Sequence, residues 1–319
     1  MRAPPRDPRL LVVALGGQAL REPAGTAAGA GWLGALPPAL APLGELLGLG
    51  YRLVITHGHG PGGPGGELGA PDRATPRRAP LPLAVATAGT QGVIGYAIQQ
   101  VLAGECRARR LAAAPVALVT RVLVDAEDPA FARPARPVGP FYPAAQARAL
   151  RRAHGWTLVQ AGRRGWRRVV ATPRPVRVLE AELVGRLLAG GAVPIACGGG
   201  GAPVVETADG YAGVEAVVEK DFASEVLATA LGADRLVFLT DVERAAVNFG
   251  TPQQLAIERL TAREGRALLG AGEFPPASMG PKIEAGLCFV EAGGREAIVS
   301  TPERLRAALE GDAGTRIVP

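Results

Sequence analysis

Leu10-Leu11-Val12-Val13-Ala14-Leu15-Gly16-Gly17 is the stretch from which the fold can be read. Six apolar residues in a row fit a strand covered on both faces better than a helix. The glycine pair that follows lets the backbone turn sharply and approach a ligand closely. The same grammar returns along the chain. Strands are predicted at Arg52–Thr56, Pro115–Thr120, Val193–Cys197, Arg235–Thr240 and Ala297–Ser300, and glycine clusters follow two of them, at 58–63 and 198–201. Between the strands lie helix-like stretches near 33–49, 83–102, 178–189, 222–231, 261–269, 281–291 and 302–309. Thr261 with Glu264 reads as a capping box, and Thr301 precedes a proline suited to the first helical position. This alternation predicts an α/β fold on a mostly parallel sheet. In such sheets ligands sit beyond the carboxyl ends of the strands, so the turns after the strands are where chemistry is expected.

Composition narrows the choice of function. The chain has 319 residues, 48% apolar and 20% charged, which excludes a disordered chain. Cys106, Cys197 and Cys288 are too few and too scattered for a disulfide framework or a zinc site. A reducing, cytoplasmic location is expected. The apolar run at 10–15 is short and preceded by Asp7 and three prolines, so it reads as a strand and not as a signal peptide. Residues 23–44 carry no charge, but Pro37, Pro38 and Pro42 argue against a membrane span. The net charge is +6, yet the basic residues are drawn almost wholly from arginine, as in a chain drifting toward GC-rich codons. The arginine clusters at 107–110, 148–152 and 163–168 read equally as a basic patch or as solvated faces. No nucleic-acid partner is expected from them. The stretch 60–82 reads as a loop rich in Gly, Pro and Arg. Residues 121–176 hold many Pro and Arg, with Phe131, Phe141 and Tyr142 but little periodicity, and read as an excursion from the sheet, a lid or small subdomain.

The two lysines are the sharper clue. Of 35 basic residues only Lys220 and Lys282 are lysine. Lys220 precedes Asp221, which is placed to cap the following helix. Lys282 follows Pro281, which suits a first helical position. Both lysines therefore fall at predicted helix N-termini, where a cation opposes the macrodipole unless an anion is bound alongside. Helix N-termini, glycine-rich turns and compact ammonium groups together make a phosphate site. Phosphoryl transfer needs this equipment and little else, since its catalysis is mainly positioning and electrostatic stabilisation. Gly58, Gly60 and Gly63 also match G-x-G-x-x-G, but no acidic residue follows about 20 positions on, as a dinucleotide site requires. A P-loop is excluded because neither lysine precedes Ser or Thr. His57 and His59 sit in the second glycine turn, where each could bind phosphate or be structural. Ser–His–Asp and Cys–His chemistry have no supporting arrangement.

These motifs resemble carbamate kinase, of the amino-acid kinase superfamily. The resemblance runs through 12–17, 55–58, 89–96, 136–142, 165–170, 197–203, 213–224, 239–242 and 280–285, in order over almost the whole chain. It implies one domain over 1–319, a three-layer αβα sandwich on a mainly parallel open sheet. A small protruding subdomain at roughly 121–176 and a homodimer are implied with it. It also implies interconversion of ATP and carbamate with ADP and carbamoyl phosphate, using Mg2+. By the same likeness Lys220 and Lys282 flank the transferred phosphoryl group and Asp221 orients them. Gly16, Gly17, Gln18, Gly58, His59, Gly60, Gly199, Gly200 and Arg136 hold phosphate or acceptor. Thr240, Asp241, Val242, Asn248 and Met279 hold the nucleotide. The metal ligands are not assigned.

Several positions depart from the family pattern, among them Gly62-Gly63-Pro64 where Q-V-G is usual. Gln18 and His59 stand where asparagine is usual, and Arg136 stands where lysine is usual. The first two fall where short amides would face phosphate or carbamate, and His59 would add charge below a pKa of about 6.5. Two further readings follow: a kinase for another small carboxylate-like acceptor, or an inactive paralogue that only binds nucleotide.

Overall fold

A computed structural model describes residues 7–17, 31–59 and 81–319. Its centre is an eight-stranded sheet. Across the sheet the strands run Arg259–Thr261, Thr315–Val318, Glu296–Ser300, Ala233–Leu239, Asp7–Leu15, Arg52–His57, Ala192–Ile195 and Ala114–Ala117. Every neighbouring pair is parallel except Glu296–Ser300 with Thr315–Val318. All six predicted strands lie in this sheet. Five of them are legible because both faces are buried; Ala114–Ala117, at the sheet edge, is only partly covered.

The alternation within each strand assigns its residues to two cores. Leu10, Val12 and Ala14 pack on one face with Val54, Leu236, Phe238, Ala297 and Val299. Leu11, Val13 and Leu15 pack on the other with Leu53, Ile55, Val237, Leu239 and Ile298. Helices Ala181–Ala189, Lys220–Ala230 and Met279–Glu291 cover the first face. Helices Gly31–Gly48, Leu83–Ala108 and Leu305–Glu310 cover the second. The result is a three-layer αβα sandwich. The Thr261 capping box is formed: Glu264 N–H donates to Thr261 Oγ1 at 3.3 Å, and Thr261 N–H donates to Glu264 Oε2 at 2.9 Å. The 301–309 segment starts as a short 3-10 turn with Pro302 in its first turn and continues as a helix from Leu305.

Chain order reverses between the two central strands. Asp7–Leu15 is followed on one side by Arg52–His57, whereas the neighbour on the other side, Ala233–Leu239, comes much later in the chain. A crevice at the carboxyl ends is expected at such a reversal.

Residues 121–178 add no strand to the main sheet. Arg121–Val124 and Pro175–Val178 join Ala202–Thr207 and Gly210–Gly213 in a four-stranded sheet. Between them Arg136–Tyr142, Trp166–Val170 and Leu158–Gln160 form a three-stranded antiparallel sheet, with the helix Ala144–His154. Tyr142, Ala147, Leu150 and Leu158 make a small core there, walled by Trp156 and Trp166. The segment read as aperiodic is thus regular structure whose short strands are only partly buried. Of the predicted 60–82 loop, 60–80 lies outside the described residues.

Candidate functional site

A cleft of about 740 Å³ opens at the crevice. Gly16 and Gly17, Gly58, and Thr240 to Val242 enter it from the ends of three adjacent strands. Hydrogen bonds fix these turns against one another. Gly16 N–H donates to Leu239 O at 2.8 Å, and Gly58 N–H donates to Leu15 O at 3.2 Å. A Cβ on Gly16 would stand 2.7 Å from Leu239 O, closer than real contacts allow, so this turn requires glycine.

Lys220 and Lys282 meet here although 62 positions separate them. Lys220 is the first residue of the helix Lys220–Ala230, and Lys282 lies one turn into Met279–Glu291. Both are buried and both bind one carboxylate. Lys220 Nζ donates to Asp221 Oδ1, and Lys282 Nζ donates to Asp221 Oδ2 at 3.2 Å and to Ser278 O at 3.3 Å. Two sequence expectations are corrected by this geometry. Asp221 makes no helix cap: Glu219 holds that position, and both Asp221 oxygens are committed to the lysines. Pro281 is the third residue of its helix and not the first.

The charges explain what the site wants. Burial would raise the Asp221 carboxyl, but Lys220 and Lys282 together outweigh it and hold it below the usual carboxylate range. Burial likewise pulls the Lys220 ammonium below its ordinary value; Asp221 opposes that and Lys282 adds to it. Two ammonium groups share one carboxylate, so one positive charge is left over in a desolvated place. An anion bound in the cleft would supply the missing partner. The backbone beneath Lys220 is pinned as well: Ser224 Oγ donates to Lys220 O at 2.7 Å and lies 2.6 Å from Thr56 Oγ1.

Most predicted residues line the cleft: Gly16, Gly17, Gly58, His59, Arg136, Gly199, Lys220, Thr240, Asp241, Val242, Met279 and Lys282. Asp221 lies just behind them. Gly200 does not reach the cleft. Its φ is +91°, and a Cβ there would stand 2.1 Å from Val218 O, so its glycine serves close packing and not a ligand. Asn248 also stays out: its side chain donates to Gln253 O at 3.4 Å, and its neighbour Phe249 takes the wall position. Gln18 and Gly60 lie outside the described residues.

The histidines are not the charged groups the sequence allowed. Burial pulls His59 down to about 3, with His57 and Arg136 adding to the effect, so the ring is neutral at any working pH. His57 is pulled down to about 4, first by burial. Burial pushes the Cys197 thiol up to about 12, which removes it as a nucleophile.

Sequence reading missed Arg167, Glu219, Arg244 and Phe249, all at the cleft wall. Glu219 pairs with Arg136 at 2.9 Å across the entrance to the three-stranded sheet. Its position one residue before Lys220 was the available signal. For a metal, the carboxylates at hand are Asp221, Glu219 and Asp241. The first two are held by cations, and Asp241 accepts from the Thr240 hydroxyl at 3.1 Å. Among the described residues no group of three His, Cys, Asp or Glu could hold a metal ion.

Comparison with known proteins identifies the family. The model of the amino acid kinase family matches residues 9–300. The carbamate kinase of Pyrococcus horikoshii is 39% identical over 318 residues, covering 98% of this chain and all of that protein. The carbamate kinase-like protein YahI of Escherichia coli is 45% identical over 278 residues, covering 86% of this chain and 87% of that protein. Among solved structures, the carbamate kinase of Giardia lamblia bound to AMP-PNP superposes with a TM-score of 0.89 at 33% identity, over 97% of this chain and 98% of that one.

Proposed function

The chain belongs to the amino acid kinase family and, within it, to the carbamate kinases; from that premise we propose that the cleft transfers a phosphoryl group between ATP and carbamate, giving ADP and carbamoyl phosphate. The observation that carries the reading is the pair Lys220 and Lys282 on one buried carboxylate at the switch point of the sheet. The phosphoryl group in flight would lie between the two ammonium groups, which stabilise charge on its equatorial oxygens. Backbone N–H groups of the glycine turns would hold the neighbouring phosphate oxygens. Carbamate is already an anion, so no general base is needed, in keeping with neutral His57 and His59. Thr240 to Val242, Phe249 and Met279 form the wall against which the nucleotide would rest.

Magnesium fits as the companion of the nucleotide. This ion keeps several waters and commonly takes only one or two carboxylates beside substrate phosphates. Among the described residues Asp241 is the cleft carboxylate that pairs with no cation, and it is the residue that would face the ion. When bound, the ion neutralises charge on the β- and γ-phosphates.

We expect a homodimer. Val85, Val93 and Tyr96 share one exposed face of the helix Leu83–Ala108, an apolar stripe suited to a second copy. Cys106, Cys197 and Cys288 are free thiols, which fits a reducing cytoplasm. A second acceptor is favoured by one observation only: His59 in place of an amide at the cleft wall. The deciding experiment is ATP formation from purified protein, Mg-ADP and carbamoyl phosphate. Turnover of about 1–10³ s⁻¹ is expected. Nucleotide binding without turnover would return the choice to another acyl phosphate or to an inactive paralogue.

A further inference from the structure

Arg167 has no place in the reading so far, and its surroundings are built with care. It lies on Trp166–Val170, opposite Phe141 in the antiparallel register. Between Val138 and Phe141 the partner strand shifts register, and the bulged segment includes Gly139. Such bulges re-aim side chains. Here the bulge offers a carbonyl: Arg167 Nε donates to Gly139 O at 3.0 Å. The guanidinium carbon stands 5.2 Å from the centroid of Phe141, which supports the group from one side. One edge and one face are thus fixed, and the group is held at the cleft wall beside Arg136.

What it lacks is an anion. Arg136 has Glu219, Arg168 has Glu215 and Arg174 has Glu284. No carboxylate among the described residues pairs with Arg167. Partial burial and the neighbouring Arg164 and Arg136 lower its pKa, so its charge is repelled and uncompensated. A fixed guanidinium fork with two unused nitrogens suits a phosphate or carboxylate bound by two oxygens.

We propose that Arg167 is a substrate-binding residue that grips the phosphoryl oxygens of the acyl phosphate, while Lys220 and Lys282 serve the transfer itself. The substrate class is a small acyl phosphate dianion. The wall against which ADP would rest is made by other segments, so ADP affinity is independent of Arg167. This assignment rests on the kinase reading above for its substrate.

The test compares the whole protein with Arg167→Gln and Arg167→Lys. Two quantities are read: KM for carbamoyl phosphate at saturating Mg-ADP, and the Kd of inorganic phosphate by calorimetry. Both are expected to rise about tenfold to a hundredfold in Arg167→Gln, the scale of losing one charge-assisted contact. KM for Mg-ADP and the thermal midpoint are expected to hold. Arg167→Lys keeps the charge but cannot use Nε on Gly139, and is expected to fall between the two. Unchanged KM and Kd in both variants, with wild-type turnover normal, would overturn the assignment. A wild type that binds phosphate through Arg167 but never turns over would sink the kinase reading and keep the anion site.

Discussion

Acid should weaken this protein through His57, and the size of the effect follows from where the ring sits. His57 ends the strand Arg52–His57, is 1% exposed, and its Nδ1 lies 2.8 Å from Gly58 O. Burial lowers its pKa from 6.5 to about 4; the Gly58 bond opposes that, and Lys220 adds to it. A base with a lowered native pKa binds fewer protons folded than unfolded. Stability is therefore complete above about 6.5 and is lost as the pH falls toward 4. The full loss is about 3 kcal/mol, and about 2 kcal/mol is gone by pH 5. The window from pH 7 to 5 is the useful one, because carboxylates held low, such as Asp221 and Glu296, begin to protonate only below it. His57→Gln keeps a donor for Gly58 O and cannot gain a proton. Urea unfolding at pH 7, 6 and 5 is the assay, with midpoint and slope giving the free energy. Between pH 7 and 5 the wild type should lose about 2 kcal/mol more than His57→Gln, whatever the starting stability of the variant. Parallel pH profiles would refute the claim that this ring is held neutral by burial.

Three further outcomes are expected. Lys282→Ala should lower kcat by roughly 10²–10³ in the ATP-forming assay. Lys282→Arg should fail as well, and normal turnover in either would remove the lysines from the mechanism. Asp221→Asn leaves two buried ammonium groups without their carboxylate, so thermal unfolding should show a loss of about 3–5 kcal/mol together with lost turnover; a stable, active variant would mean that the lysines find their partner elsewhere. His59→Asn exchanges one neutral polar group for another, and kcat/KM for carbamoyl phosphate should stay level or rise. A large fall there would assign His59 to a substrate other than carbamate.

How much of this was legible in the sequence depended on burial. Strands such as Leu10–Leu15 are buried on both faces, and their apolar runs announced them. The strands of the two smaller sheets were silent. Arg136–Tyr142 and Pro175–Val178 are short, half-exposed and rich in Arg and Pro, so neither period nor hydropathy marks them. Among site residues, the glycine turns showed through because each follows a buried strand. Arg167 did not: it lies in the 165–170 stretch that carries the resemblance, but one arginine among so many was given no role there. Its meaning comes from a strand bulge that no local pattern predicts.

The lysines were legible for the opposite reason: the composition made them rare. The structure supplies the physical cause of their survival. Asp221 has two oxygens, and each ammonium takes one. Sharing a carboxylate does not by itself require lysine, since Arg235 and Arg316 each take one oxygen of the buried Glu296. The difference lies in what each cation keeps for a ligand: a guanidinium holds its remaining donors in one plane, whereas an ammonium that gives one proton to Asp221 keeps two more for oxygens in other directions. Two compact cations on one buried carboxylate, each with protons free for an anion out of any single plane, is a geometry that lysine supplies and a planar fork does not. Arginine can therefore stand wherever this chain needs a cation for a carboxylate, as at Glu296, but not where a compact point charge has to face an anion from several directions.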